Sequence, residues 1–141
     1  MKISGFYGFE SDVWICKLEL LDIREIAKTK EELFLKLNNQ ILDILKLVSK
    51  EKATDDDFSI EIFDDNNFSV KFFEPRYVTA LLFKKLRKNE RLTQSRVALE
   101  LGSGQNSYAQ YEEGKREPSL GKFTDILNVL GYEWQLTLQK K

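Results

Sequence analysis

Residues 92–130, LTQSRVALELGSGQNSYAQYEEGKREPSLGKFTDILNVL, decide how this chain is read. Thr93 is a helix N-cap candidate ahead of 94–101, because its hydroxyl can accept from a free first-turn N–H. Gly102 suits the left-handed residue that ends such a helix. Residues 105–112 make a second helix, and Gly114 stops it. Pro118 and Ser119 open a third, which Gly131 ends. Two short helices joined by a tight turn, then a polar turn and another helix, are the spacing of a helix-turn-helix. That motif sets its second helix into a DNA major groove.

A helix that reads bases needs short polar side chains outside and apolar ones inside. The outward candidates are Gln105, Asn106, Ser107 and Gln110; Gln and Asn can each bond an adenine edge through two atoms. Gln94, at the start of the preceding helix, is a candidate for a phosphate contact beside that helix N-terminus. Lys115 and Arg116 follow Gly114 and are placed for the phosphate backbone. Tyr108 and Tyr111 share the inward face, with their hydroxyls within reach of a phosphate. Ala98 is small enough for a close helix crossing. Upstream, the spacing predicts a helix from Thr79 to about Lys88, with Lys84, Lys85, Arg87 and Lys88 making one side basic. Downstream, residues 132–138, YEWQLTL, read as a short C-terminal strand that pairs with a twofold mate or docks on the first half.

The first half has a different grain. Residues 2–9 and 13–20 are β-rich runs around a polar break and read as a hairpin. Apolar groups fall on both faces of the second run (Val13 and Ile15 against Trp14 and Cys16). Residues 22–28 suit a third, edge strand. From Thr29, a second N-cap candidate with Glu31 and Glu32 in the first turn, apolar positions Leu33, Leu37, Ile41, Ile44, Leu45 and Val48 recur at helical spacing to Ser49. Phe34, Leu35, Leu42 and Leu47 widen that stripe beyond one face. Residues 58–63 and 68–73 alternate around the turn-forming Asp64-Asp65-Asn66-Asn67, a second hairpin. Pro75 closes the unit, with residues 76–78 as a very short linker. The pattern is α+β: a small antiparallel ββ(β)αββ domain over 1–75, then an all-α helix-turn-helix domain with a C-terminal strand over 76–141.

Charge separates the same halves. Residues 1–75 carry 10 Lys and Arg against 16 Asp and Glu, a net of −6; residues 76–141 carry 12 against 7, a net of +5. The basic half suits a phosphate backbone, and the acidic half a basic protein. There is no histidine and a single cysteine, Cys16, set among apolar neighbours. These facts argue against a disulfide, a structural zinc site and histidine general-base chemistry, so neither a metal nor a cofactor is expected and the chain does not read as an enzyme. The clusters Asp55-Asp56-Asp57 and Asp64-Asp65 sit in expected loops, unlike a magnesium site built on rigid elements. No apolar run approaches a membrane span, and a cytoplasmic protein is expected.

Residues 79–131 resemble the lambda-repressor-like, or XRE, helix-turn-helix family. The carriers are Leu92-Thr93-Gln94, Val97-Ala98, Leu101-Gly102, Gln105, Tyr111-Glu112, Gly114-Lys115-Arg116, Pro118-Ser119 and Leu127. The resemblance implies that Glu112 supports the domain internally, and Gly104 departs from the Ser common before the reading helix. The first half is similar in layout to the HicB family of type II antitoxins. A strand runs through Val13-Trp14-Ile15-Cys16, then a drop through Leu20-Leu21-Asp22-Ile23, and Thr29 with Glu31-Glu32-Leu33 opens the long helix. That resemblance implies a degraded ribonuclease-H-like domain that covers a small basic toxin (HicA-like) cleaving messenger RNA, with the helix-turn-helix repressing the operon. Candidate toxin contacts are Asp12, Glu19, Asp22 and Glu25. The partners expected are therefore operator DNA, a small basic toxin and a second copy of the chain, as a homodimer or higher oligomer. The alternative is a one-component transcriptional regulator whose aromatic-rich first half senses a small ligand.

Overall fold

The computed structural model describes residues 1–138 and Lys140. Strands β1 (Lys2–Glu10), β2 (Val13–Leu18), β3 (Ile23–Ala27), β4 (Phe58–Ile62) and β5 (Asn67–Phe72) form one sheet in the order β3-β2-β1-β5-β4, every neighbouring pair antiparallel. Ser11 and Asp12 join β1 to β2 with φ of 51° and 64°, left-handed values whose twist suits a two-residue hairpin. The edge strand expected over 22–28 is β3. The run expected to reach residue 20 ends at Leu18, because Glu19–Leu21 turn into one 3₁₀ turn.

Helix α1 (Lys30–Ser49) carries the chain from the β3 edge to the β4 edge and covers one face of the sheet. The Thr29 hydroxyl accepts from the Glu32 N–H at 3.2 Å, the cap that its sequence announces. Leu33, Leu37, Ile41 and Leu45 are fully buried against Tyr7, Cys16, Leu18, Phe68 and Val70. Of the surplus apolar groups on this helix, Phe34 and Leu42 pack on that core, whereas Leu35 and Leu47 stand in solvent.

The other face of the sheet is open around Phe6 and Ile26. Register places Phe6, Lys17 and Arg24 in one row of that face, and Gly8, Ile15 and Ile26 in the next. Phe6 and Ile26 are about half exposed, at 46% and 51%. Farther along the same face, Lys2, Ser4, Ser69 and Lys71 line a cavity of about 980 Å³, whose opposite wall includes Leu82, Leu86, Phe123, Leu127 and Trp134.

Helix α2 (Pro75–Asn89) begins at once; there is no linker over 76–78. Proline in the first turn lacks only an N–H that would have had no partner, so it starts the helix instead of delaying it. Tyr77 and Val78 of α2 belong to the first core; Leu82, Phe83 and Leu86 belong to a second. That second core is completed by α3 (Gln94–Glu100), α4 (Gln105–Glu112) and α5 (Leu120–Val129). Among the described residues, the strand expected at 132–138 does not form. A strand needs a neighbour, and this segment pairs with neither sheet edge. The segment is held to α5 at its start, where Trp134 Nε1 donates to Thr124 Oγ1 at 3.0 Å and the Trp134 ring meets Phe123 edge-on. No helix among the described residues is long and apolar enough to cross a membrane.

Candidate nucleic-acid interface

The α3–turn–α4 unit is set by local chemistry. The Thr93 hydroxyl accepts from the Arg96 N–H at 3.1 Å, capping α3. Gly102 takes φ +65° in the turn, and the Ser103 N–H closes it on the Ala98 carbonyl at 2.9 Å. Val97 and Ala98 are buried where α3 meets α4. Gly104 provides no side-chain cap for α4, and among the described residues no side chain accepts from its first-turn N–H groups. Gly114, φ +65°, turns the chain out of α4, and Ser119 caps α5 by accepting from the Lys122 N–H.

Behind α4 lies a buried ion pair with three helices on it. Arg87 of α2 donates Nε and Nη2 to the two Glu112 carboxylate oxygens at 2.6 and 2.9 Å. Gln94 Nε2 donates to the same carboxylate at 3.0 Å, and the Tyr108 hydroxyl at 2.7 Å. Arg87 also donates Nη1 to the Leu92 carbonyl at 2.8 Å. Burial alone would raise the Glu112 carboxyl, but the bonds from Arg87, Gln94 and Tyr108 hold it below the ordinary carboxylate range. Burial, then the neighbouring carboxylate, pushes the Tyr108 phenol well up, so it remains a donor. Glu112 thus ties the domain together internally, as the resemblance implied.

This network corrects two expectations. Arg87 is not part of a basic surface; only 13% of its side chain is exposed. Nor does the Tyr108 hydroxyl face a phosphate, since it is turned onto Glu112. Lys85 also turns in, donating to the Glu19 carbonyl, so Lys84 and Lys88 are the exposed cations of α2. Arg87 escaped sequence reading because its partner lies 25 residues away, while its immediate neighbours are all lysines or leucines.

Gln105, Asn106, Ser107 and Gln110 are all exposed and lie together on α4. The Ser95 hydroxyl donates to Gln105 Oε1 at 2.6 Å, and among the described residues no side chain accepts from the Gln105 amide N–H groups. Gln94 is half-buried with its amide nitrogen on Glu112, which ties its side chain to the core. Lys115 and Arg116 are exposed in the turn after α4; Lys115 pairs with Glu113, and the Arg116 guanidinium lies 5.3 Å from the Tyr111 ring centre.

The candidates in the first half do not converge. Asp12 is at the β1–β2 hairpin tip. Glu19 and Asp22 sit beyond the other end of β2, where the Asp22 carboxylate is 4.0 Å from Lys85. Glu25 is half-buried on β3, level with Cys16 on the face that α1 covers. Cys16 is buried, and desolvation pushes its thiol up to about 11, leaving it protonated and inert at neutral pH.

Residues 83–136 match the helix-turn-helix family model. With the α3–α4 geometry, this defines the class: that part of the chain is an XRE-like DNA-binding domain of the kind that regulates transcription. No curated protein matches the chain.

Proposed function

We propose that this protein is an antitoxin of HicB type. On this reading its first 75 residues form the degraded ribonuclease-H-like domain of that family, which binds and neutralises a small basic messenger-RNA-cleaving toxin. The helix-turn-helix, as a twofold dimer on a palindromic site, represses the operon encoding both. The chain itself performs no catalysis. The observation that carries the reading is the sheet face left uncovered beside a DNA-binding domain, where Phe6 and Ile26 are about half exposed and Val13 and Ile15 half-buried. Apolar groups exposed on one sheet face favour a protein partner, and the net charge of −6 on residues 1–75 favours a basic one.

The test is co-purification from the native cell in mild salt, with DNA binding measured in parallel. A small basic protein encoded beside this chain is the expected companion, in a fixed ratio. Ile26→Asp is expected to release it while leaving operator affinity unchanged. Gln105→Ala with Gln110→Ala is expected to do the reverse, each change weakening operator binding by about 1–3 kcal/mol. Operator binding without any protein companion would remove the antitoxin reading.

A second reading rests on the cavity between the sheet and the helices. At about 980 Å³, with Lys71 and Ser69 facing Trp134 and Phe123, it is large enough for a small amphipathic ligand, which favours a ligand-sensing regulator.

A further inference from the structure

We infer that residues 133–138 are one half of an intermolecular β-ribbon: two copies of this segment pair antiparallel across the dimer twofold. The inference rests on the DNA-binding reading and names the surface that makes the dimer.

Three features of the segment point the same way. First, its backbone groups are unsatisfied. The last backbone bond of this region is the Tyr132 N–H onto the Leu127 carbonyl, and among the described residues no backbone partner follows for 133–138. Chain with free N–H and C=O groups is a template for a strand from another molecule. Second, its composition is that of a strand with alternating sides. Tyr132 and Trp134 are held against the second core, whereas Leu136 and Leu138, next in the same alternation, are exposed at 68% and 85%. Leu120 at the start of α5 is exposed at 66% and lines the same cavity as Leu136, which extends the apolar surface. Third, the segment suits itself as a partner. Glu133 is its only charge, so antiparallel pairing about a centre near Leu136 stacks no row of like charges. A twofold contact must be self-complementary, and an antiparallel strand pair is so by construction. Anchoring by Trp134 and Thr124 fixes the ribbon to α5, so the ribbon sets the distance between the two α4 helices.

The partner is thus a second copy of this chain, and each copy contributes the strand that the other lacks. The test uses the full chain. Sedimentation or light scattering at micromolar concentration is expected to give twice the 16.5 kDa chain mass. Leu136→Pro removes one N–H from the ribbon; it is expected to give a monomer with unchanged helical circular dichroism and operator binding at least ~100-fold weaker, as the second half-site is lost. A positive geometric test is single cysteines at Gln135, Leu136 and Thr137, because in an antiparallel twofold pair only the residue at the centre faces its own copy. Opposed strand residues lie within disulfide range, and Cys16 is buried. At least one position is expected to cross-link the dimer under mild oxidation. A wild-type monomer, a Leu136→Pro dimer, or no cross-link at any position would overturn the ribbon. The DNA-binding reading fails separately, if a dimer forms and no DNA is bound.

Discussion

At the scale of single residues, Glu112 has the largest consequence. It is buried, it ends α4, and it receives bonds from Arg87, Gln94 and Tyr108 on three helices. Removing one member of a buried ion pair leaves the other charge without compensation. Glu112→Ala is therefore expected to cost about 3–5 kcal/mol, read as a lowered urea midpoint. The pH dependence has a definite sign. The folded-state pKa of Glu112 lies below its ordinary value of 4.5. Its contribution is thus complete above the unfolded pKa and is lost as pH falls through the folded one. Glu112→Gln should destabilise the protein at pH 7 and narrow the gap to wild type as pH drops below 4.5. A gap that is constant from pH 7 to pH 3 would show that the carboxylate charge contributes nothing. The sequence placed Glu112 inside only by resemblance. Its partner could not be read, because no local pattern distinguishes the inward-turned Arg87 from the exposed Lys84 and Lys88 on the same helix.

Whole elements were legible where their causes are local. Thr29, Thr93 and Ser119 each cap the helix that follows, and Gly102, Gly114 and Gly131 each adopt positive φ at the helix ends expected of them. Legibility stopped where an element depends on something distant. Sequence pattern alone starts α2 at Thr79, four residues late, because Pro75 serves equally as terminator and first turn; the Tyr77 and Val78 packing that settles it comes from the sheet and α1. Residues 132–138 have the composition of a strand and, among the described residues, no strand to pair with. Contact between elements also explains the glycine in the centre of β1. A Cβ on Gly5 would stand 2.2 Å from Phe68 Cζ, because the Phe68 ring lies flat across that position from β5. Gly5→Ala is expected to cost about 1–3 kcal/mol by overpacking. Phe68→Leu should relieve part of that cost in the double variant. Thermal melts of the two single variants and the double variant give the coupling, and strict additivity would show that Gly5 is not there for the ring.

For the molecule as a whole, α2 is shared by both cores. Tyr77 and Val78 pack with the sheet and α1, and Leu82, Phe83 and Leu86 with α3, α4 and α5, along one uninterrupted helix. A second link crosses behind α4: a Cβ on Gly114 would lie 2.7 Å from Val48 Cγ1 of α1 and 3.2 Å from the Tyr77 ring. Lys85 adds a third, onto the Glu19 carbonyl. Neither core can open without losing one end of α2, so the two halves are expected to unfold as one unit, as chains under about 150 residues commonly do. The two tryptophans report on one core each: Trp14 packs on the first and Trp134 on the second. Trp14→Phe and Trp134→Phe therefore each leave a single fluorescent reporter. Within each variant the urea midpoint by fluorescence should coincide with that by circular dichroism. Two separated transitions would mean that α2 joins the halves without coupling them. Coupling has a functional consequence. A partner that binds only the folded first half at 100 times its dissociation constant adds about 2.7 kcal/mol to global stability. In a single cooperative unit that gain also protects the helix-turn-helix from opening. Amide exchange in α4 should then slow when the partner is bound to the sheet, although it touches none of the α4 residues.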